Sequence, residues 1–528
     1  MATIEPTRSP SKDEKNVYSD SSVVPVDGAA VEGDTAELRS RFTYEDAEHL
    51  KRKADVRLLV LLSLCYLCKN IDNNVISFVP TLNKGKPTNF YNMVNISTDN
   101  FSYASTVYTA CFMLAEIPSN ITIKWATPRL HFSRIILLWG ITCACTPAVS
   151  NAGGLFACRA LLGLFEGGLW PGILYQLTCW YRPDELAVRA TFLITLAQFA
   201  NIIVAVLTYG LSFIDGRGMA AWQWSFVICG LFAVLLSIAV FFLLPDWPDS
   251  PPSFRQFLTP EEGAFMVARL PPGASRSTDS NFDWAAIKKD CKGGLVWSFG
   301  LMQMFFGIGT VGMSFWLPTI VSGFGLTGTS VSASTLLLIP PALLYIITSV
   351  CFGYYLDRQT AVPKPAFMLG AVVVMIGLFF GLIFCQSPVG LYVLIMASPP
   401  NHPWAGAKRT QLIYIPYAIE QTCFVPLRSM STKGSASAAF AYGVYNTFGN
   451  STGLYTAQIF RSKYAPRYTI PFAVCLVMFV LTLASISWMW YLCCDLEKEV
   501  RRVAGERRKT GRQTGRVAEV EVHNVKED

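Results

Sequence analysis

Apolar runs of membrane-crossing length recur through most of the 528-residue chain, and they restrict the fold severely. A bilayer core about 30 Å thick takes roughly 17–25 residues of helix. Backbone groups in hydrocarbon must find partners within the protein, which favours helices or closed barrels. Eleven windows have the helical length: 57–80, 101–123, 132–150, 155–178, 186–212, 222–244, 295–318, 329–353, 365–384, 435–460 and 471–492. A twelfth starts at Gly390 and is interrupted. The charged fraction of 15% agrees with this reading, since soluble domains carry about 25%.

The runs fall into two sets of six. The chain therefore reads as an all-α membrane protein with twelve transmembrane helices in two six-helix bundles, 57–244 and 295–492. A polar cytosolic linker, 245–294, joins them. Within it Thr259-Pro260-Glu261-Glu262 carries a helix start: a capping hydroxyl, a proline at the first position and acids in the first turn. Residues 1–56 read as a disordered cytosolic tail without a cleavable signal peptide, and 493–528 as a charged cytosolic tail.

The net charge of +7 comes from Lys and Arg in short loops and tails, where they orient spans and do not indicate nucleic acid. Lys51, Arg52, Lys53, Arg57, Lys124, Arg129, Arg182, Arg189, Arg358 and Lys364 mark one side, so both termini are expected in the cytosol. Asn95-Ile96-Ser97 is then a glycosylation sequon in the outer loop 81–100. The fifteen cysteines read as small apolar residues, and Trp180, Tyr181, Trp222, Trp224, Trp488 and Trp490 as anchors at the membrane surface.

The sequence has no phosphate-binding G-x-x-x-x-G-K-[ST] loop, no H-E-x-x-H and only four histidines. No cofactor, metal or enzymatic activity is expected. The informative residues are polar ones inside apolar runs, which are costly there and mark functional sites. The first span holds Lys69, Asp72 and Asn74; the second, Glu116; the fourth, Arg159 and Glu166; the fifth, Gln198 and Asn201; the eleventh, Asn446 and Asn450. Lys69 and Asp72 are three apart, so they share a face and can neutralise each other or form a site. Arg159 and Glu166 lie two turns apart on one face, as Asn446 and Asn450 lie one turn apart. Gly163, Gly167, Gly168 and Gly172 favour close helix packing, and Pro171 predicts a bend in the fourth span.

Several motifs carry a family likeness. Arg159-x-x-x-Gly163 and Gly353-Tyr-Tyr-Leu-Asp357-Arg358, on a twelve-span plan, resemble the major facilitator superfamily. Glu116-Ile-Pro-Ser-Asn120, Arg159 to Glu166-Gly-Gly, Trp180-Tyr181-Arg182-x-x-Glu185 with Arg189, and Gln458 to Tyr468 resemble its fungal anion:cation symporter branch, the allantoate and nicotinate permease type. The first span departs from that pattern, with Cys68-Lys69 where the branch usually has Asp-Arg.

The resemblance implies a monomeric plasma-membrane carrier that moves a small organic anion with protons by alternating access. Lys69 or Arg159 would balance the anion, and Asp72, Glu116 or Glu166 would take the proton, with Asn74, Gln198, Asn446 and Asn450 beside them. Lys124, Arg129, Arg182, Glu185, Arg189, Asp357 and Arg358 would form cytosolic latch contacts. Export of a secondary metabolite or drug, or nutrient sensing without flux, would use the same fold.

The interrupted span predicts an insert. Residues 398–422 bring four prolines with His402, Lys408 and Arg409 between the apolar pieces GLYVLIMA and CFVPLRSM. A retained intron or a genuine extramembrane insertion accounts for it. Transcript sequencing across the junction distinguishes them: a retained intron predicts abundant messages lacking the insert, and abundant in-frame reads containing it contradict that origin.

Overall fold

The computed structural model describes residues 41–214, 218–248, 250, 257–270, 288, 291–323, 335–358, 362–384, 419, 423, 435–459, 464 and 469–514. The insert expected at 398–422 lies outside them apart from residue 419, and so do the side chains of Lys124, Asp357 and Arg358.

Residues 44–54, read from sequence as tail, form helix α1, Tyr44–Ala54. The Thr43 hydroxyl accepts from the Asp46 N–H while the Asp46 carboxylate accepts from the Thr43 N–H, and this capping box starts the helix. Ala47, Leu50 and Ala54 anchor it by burial. A π turn at Asp55–Leu59 leads into the first span, α2, Val60–Phe78. A short α3, Phe90–Val94, crosses the following loop. Ser97 caps the second span, α4, Thr98–Trp125, and the third is α5, Pro128–Cys145.

The fourth span is two helices, α6, Ala152–Glu166, and α7, Leu169–Trp180. Its break falls at the glycine pair and not at Pro171. Gly168 has φ +90°, a conformation that favours glycine. Pro171 sits in the first turn of α7, where a missing N–H disrupts nothing. The fifth span also divides, at Gln198, into α8, Pro183–Ala197, and α9, Phe199–Leu211. The sixth is α10, Ala221–Leu243. The linker helix α11, Pro260–Ala268, begins at Thr259 with the expected capping box. The second half contributes α12, Leu295–Gly323; α13, Ile339–Arg358; α14, Lys364–Phe384; α15, Ser435–Ile459; and α16, Thr469–Thr514.

Within the first half α4 packs on α6, and α5 on α10; within the second, α12 packs on α15 and α16. The halves meet along two seams, α4 against α15 and the fifth span, α8 and α9, against α13 and the turn at Thr335–Leu338. Outward faces are apolar: Leu231, Leu235, Ile238 and Phe242 form an exposed stripe on α10. Among the described residues seven helices are long and apolar enough to cross a membrane. α2, α4 and α15 are not among them, because amides, hydroxyls and charges interrupt them. These three polar helices supply most of the site.

Some aromatic residues expected at the membrane surface are interior. Trp180, Tyr181 and Trp222 are each 1% exposed. Trp180 stacks on Phe257 of the linker, and the Trp222 indole packs edge-on to Phe90. Trp488 is exposed, as expected of an anchor.

Gly163 sets the approach of α6 to α4, since a Cβ there would stand 2.3 Å from the Tyr108 carbonyl oxygen. Gly163→Val is expected to cost about 1–3 kcal/mol through overpacking. Gly377→Ala, where a Cβ meets nothing within 4 Å, should leave the unfolding midpoint of the detergent-solubilised protein unchanged. Equal midpoints for the two variants would contradict the packing.

Candidate functional site

Four charged residues in the first bundle are almost wholly buried: Asp72 (4% exposed), Glu116 (0%), Arg159 (3%) and Glu166 (1%). Each is positioned by a neighbour on another helix. Cys143 of α5 donates its thiol to Asp72 Oδ1 at 2.7 Å. Glu166, the last residue of α6, accepts from the Tyr108 hydroxyl of α4. The Arg159 guanidinium lies 5.6 Å from the Phe226 ring centroid of α10. The charges of Asp72 and Glu166 both act on it, while its Nε and Nη2 make no hydrogen bond.

Lys69 and Asp72 do not form the one-turn ion pair their spacing allows. Lys69 points instead over the Phe112 ring of α4, its ammonium 5.5 Å from the centroid. It is half-buried, with Glu116 and Glu166 both within electrostatic reach. Among the described residues it has no salt bridge within 4 Å.

The junction of the two bundles is built on Glu116. Its carboxylate accepts from the Asn446 amide, from the Thr447 hydroxyl at 3.4 Å and from the Asn450 amide at 3.4 Å, all on α15. The four-residue spacing thus aims both asparagines at one carboxylate. A second polar chain links α2 to the broken fifth span: Asn74 donates to Asn201 at 3.0 Å, and Asn201 donates to Gln198 at 3.0 Å.

Sequence reasoning missed Tyr108, Phe112, Cys143 and Thr447. Four-residue steps back from Glu116 reach Phe112 and Tyr108, so the face of α4 was a usable signal. Nothing in the sequence distinguishes Cys143 from the other cysteines.

One end of the first bundle carries an ionic clasp. Arg189 of α8 holds Asp55 through Nε and Nη2 at 2.6 and 2.8 Å, and its guanidinium lies 4.0 Å from the Tyr181 ring centroid. Glu185 accepts from Arg269, at the end of α11, at 2.8 Å, and pairs with Lys51 of α1 at 3.3 Å. It also accepts the Arg182 backbone N–H at 3.2 Å. Arg129 pairs with Asp246 at 3.1 Å. Burial opposes ionisation of Glu185, but Arg269 and Lys51 outweigh it and hold the carboxyl down at about 2. Asp55, Asp246, Lys51 and Arg269 were not singled out from sequence as members of this clasp. Beyond the membrane-spanning part of α2, Asn95 is exposed at the end of α3 with φ 50°, and the adjacent Ser97 caps α4.

The model of the Major Facilitator Superfamily matches residues 62–457. An uncharacterized transporter of Schizosaccharomyces pombe is 25% identical over 438 residues, covering 83% of this chain and 82% of that protein. Vitamin H transporter 1 of the same organism is 27% identical over 307 residues, 53% of each chain. The solved structure of the proton:xylose symporter XylE, bound to 6-bromo-6-deoxy-D-glucose, has a TM-score of 0.59 at 12% identity. It covers 83% of this chain and 96% of that one, and the likeness establishes the fold.

The clasp makes stability depend on pH. A carboxyl held at about 2 against its ordinary 4.5 adds stability that is complete above pH 4.5 and is lost as pH falls toward 2. Glu185→Gln is expected to lower the unfolding midpoint at pH 7, equivalent to about 1.5–3 kcal/mol for hydrogen bonds to a charged group. The gap between wild type and variant should close from pH 4.5 downward. A gap that stays constant to pH 3 would contradict the assignment.

Proposed function

Because the chain belongs to the Major Facilitator Superfamily, we propose that it is a secondary transporter carrying a small organic carboxylate into the cell together with protons. Lys69 is the observation that carries this reading: a half-buried ammonium near the bundle junction, over an aromatic ring, with no salt bridge among the described residues. A cation so placed is suited to an anion that comes and goes. Arg159 is deeper in the first bundle, facing Asp72 and Glu166, and holds that cluster in place. Asp72, Glu116 and Glu166 are the proton acceptors. Asn74, Gln198, Asn446 and Asn450 supply neutral hydrogen bonds around the solute path.

The allantoate and nicotinate permease motifs support a carboxylate, and the relative named Vitamin H transporter 1 supports a small organic solute. The asymmetry of Lys and Arg supports cytosolic termini, with the Glu185 clasp on the cytosolic side and a glycan on Asn95 outside. The plasma membrane is the proposed location and the monomer the working unit. In the rocking of two bundles about a midplane site, Arg129, Arg182, Glu185 and Arg189 keep the cytosolic ends of the first bundle together, with Lys124, Asp357 and Arg358 as further latch residues.

Uptake of radiolabelled nicotinate and allantoate into permease-deficient yeast tests the reading, using the chain with and without residues 398–422. Saturable uptake is expected from at least one form. Lys69→Ala should reduce it roughly 10- to 100-fold, the loss of one hydrogen-bonded charge interaction. Arg159→Ala and Glu166→Gln should also reduce it. Unchanged uptake of every tested carboxylate in all three variants would overturn the site. Solute accumulating inside cells that lack the protein would mean export.

A further inference from the structure

The three buried carboxylates of the first bundle differ in what they hold. Asp72 is bound by Cys143 of α5 and Glu166 by Tyr108 of α4, so both have their hydrogen bonds within the first bundle. Among the described residues Glu116 is the buried carboxylate whose hydrogen bonds cross to the second bundle, through Asn446, Thr447 and Asn450.

The rest of the seam between α4 and α15 is close and neutral. The Thr106 hydroxyl donates to the Leu454 carbonyl at 3.2 Å, and Gln458 donates to Thr106 at 3.5 Å. At Gly453 a Cβ would stand 2.4 Å from Thr109 Oγ1, so the helices touch there. Neither α15 nor the neighbouring α12 and α7 contains a charged residue. The charge facing Glu116 comes from Lys69 of α2; Glu166 of α6 acts on the same Lys69.

An ionised carboxylate can accept from all three α15 donors at once. A protonated carboxyl must place a hydrogen where the Asn446 and Asn450 amides present theirs, so an amide must turn over or the contact is lost. Hydrogen bonds to a charged acceptor are about twice as strong as neutral ones. Protonation therefore weakens this seam, whereas protonation of Asp72 or Glu166 alters contacts inside one bundle.

We propose that Glu116 is a proton-operated lock on the α4–α15 seam between the bundles, holding α4 to α15 when ionised and releasing them when it takes a proton. The inference rests on the transporter reading and assigns the coupling proton within it. An anion on Lys69 would displace Glu116 as the counter-charge of that ammonium, which ties solute binding to proton binding at adjacent side chains.

Pulsed electron-spin distance measurement tests this on the full chain in lipid nanodiscs without solute. Spin labels replace Phe213, just beyond α9, and Ile470, in the first turn of α16; both are exposed. The exposed Cys145 and Cys351 are changed to serine. The expected result is a distance distribution that differs between pH 8 and pH 5. Glu116→Gln should show the pH 5 distribution at both values, and Asn450→Ala, which leaves the carboxylate in place, should move the pH 8 distribution toward it. A pH-independent parent protein, or a Glu116→Gln variant that keeps the full shift, would overturn the lock. This readout involves no solute, so failure of the carboxylate assignment would show in uptake and leave it unaffected.

Discussion

A guanidinium inside a helical bundle in hydrocarbon must have its charge compensated, since an isolated buried ion costs several kcal/mol. Arg159 sets that requirement, and much of the first bundle follows from it. Asp72 on α2 and Glu166 on α6 bring opposite charge, and Cys143 and Tyr108 fix the two carboxylates by hydrogen bonds from α5 and α4. The Tyr108 contact requires α6 to approach α4 closely, which Gly163 permits. The helix ends immediately after Glu166 because the Gly167-Gly168 pair turns the chain. Glycine content, helix break and buried charge are thus parts of one arrangement.

The two kinds of polar contact have different strengths and places. The clasp around Glu185 and Arg189 is ionic, partly buried and confined to the first bundle with α1 and α11. It fastens the N-terminal helix and the first part of the linker to that bundle. The seam between α4 and α15 is made of amides and hydroxyls around the single ionisable group Glu116. A bundle held by ionic contacts beside a seam with one titratable carboxylate fits rigid-body rocking of two halves.

The architecture was legible because membrane helices announce themselves by length and apolarity. The buried polar residues were legible for the opposite reason: Glu116, Arg159, Glu166, Asn446 and Asn450 stand out against apolar surroundings. Their pairings were less so. Spacing places Lys69 and Asp72 on one face, but it does not show that Cys143 supplies Asp72 with a donor from a helix 71 residues away. Trp180 and Trp222 look like surface anchors until Phe257 of the linker and Phe90 of α3 are seen to pack against them. Pro171 looked like the source of the bend, yet a proline in a helix's first turn is compatible with the helix and a glycine at positive φ ends one. Helix α1 was hidden because a single capped turn sequence in a polar stretch resembles a tail until its apolar residues find a partner.

Anion transport driven by protons is the central claim, and purified protein in sealed liposomes tests it most directly. With the membrane potential clamped and the outside acidic, labelled nicotinate or allantoate should accumulate inside above its external concentration. The accumulation should collapse when a protonophore dissipates the pH gradient. Equal uptake with and without the gradient, across every carboxylate tried, would contradict the account.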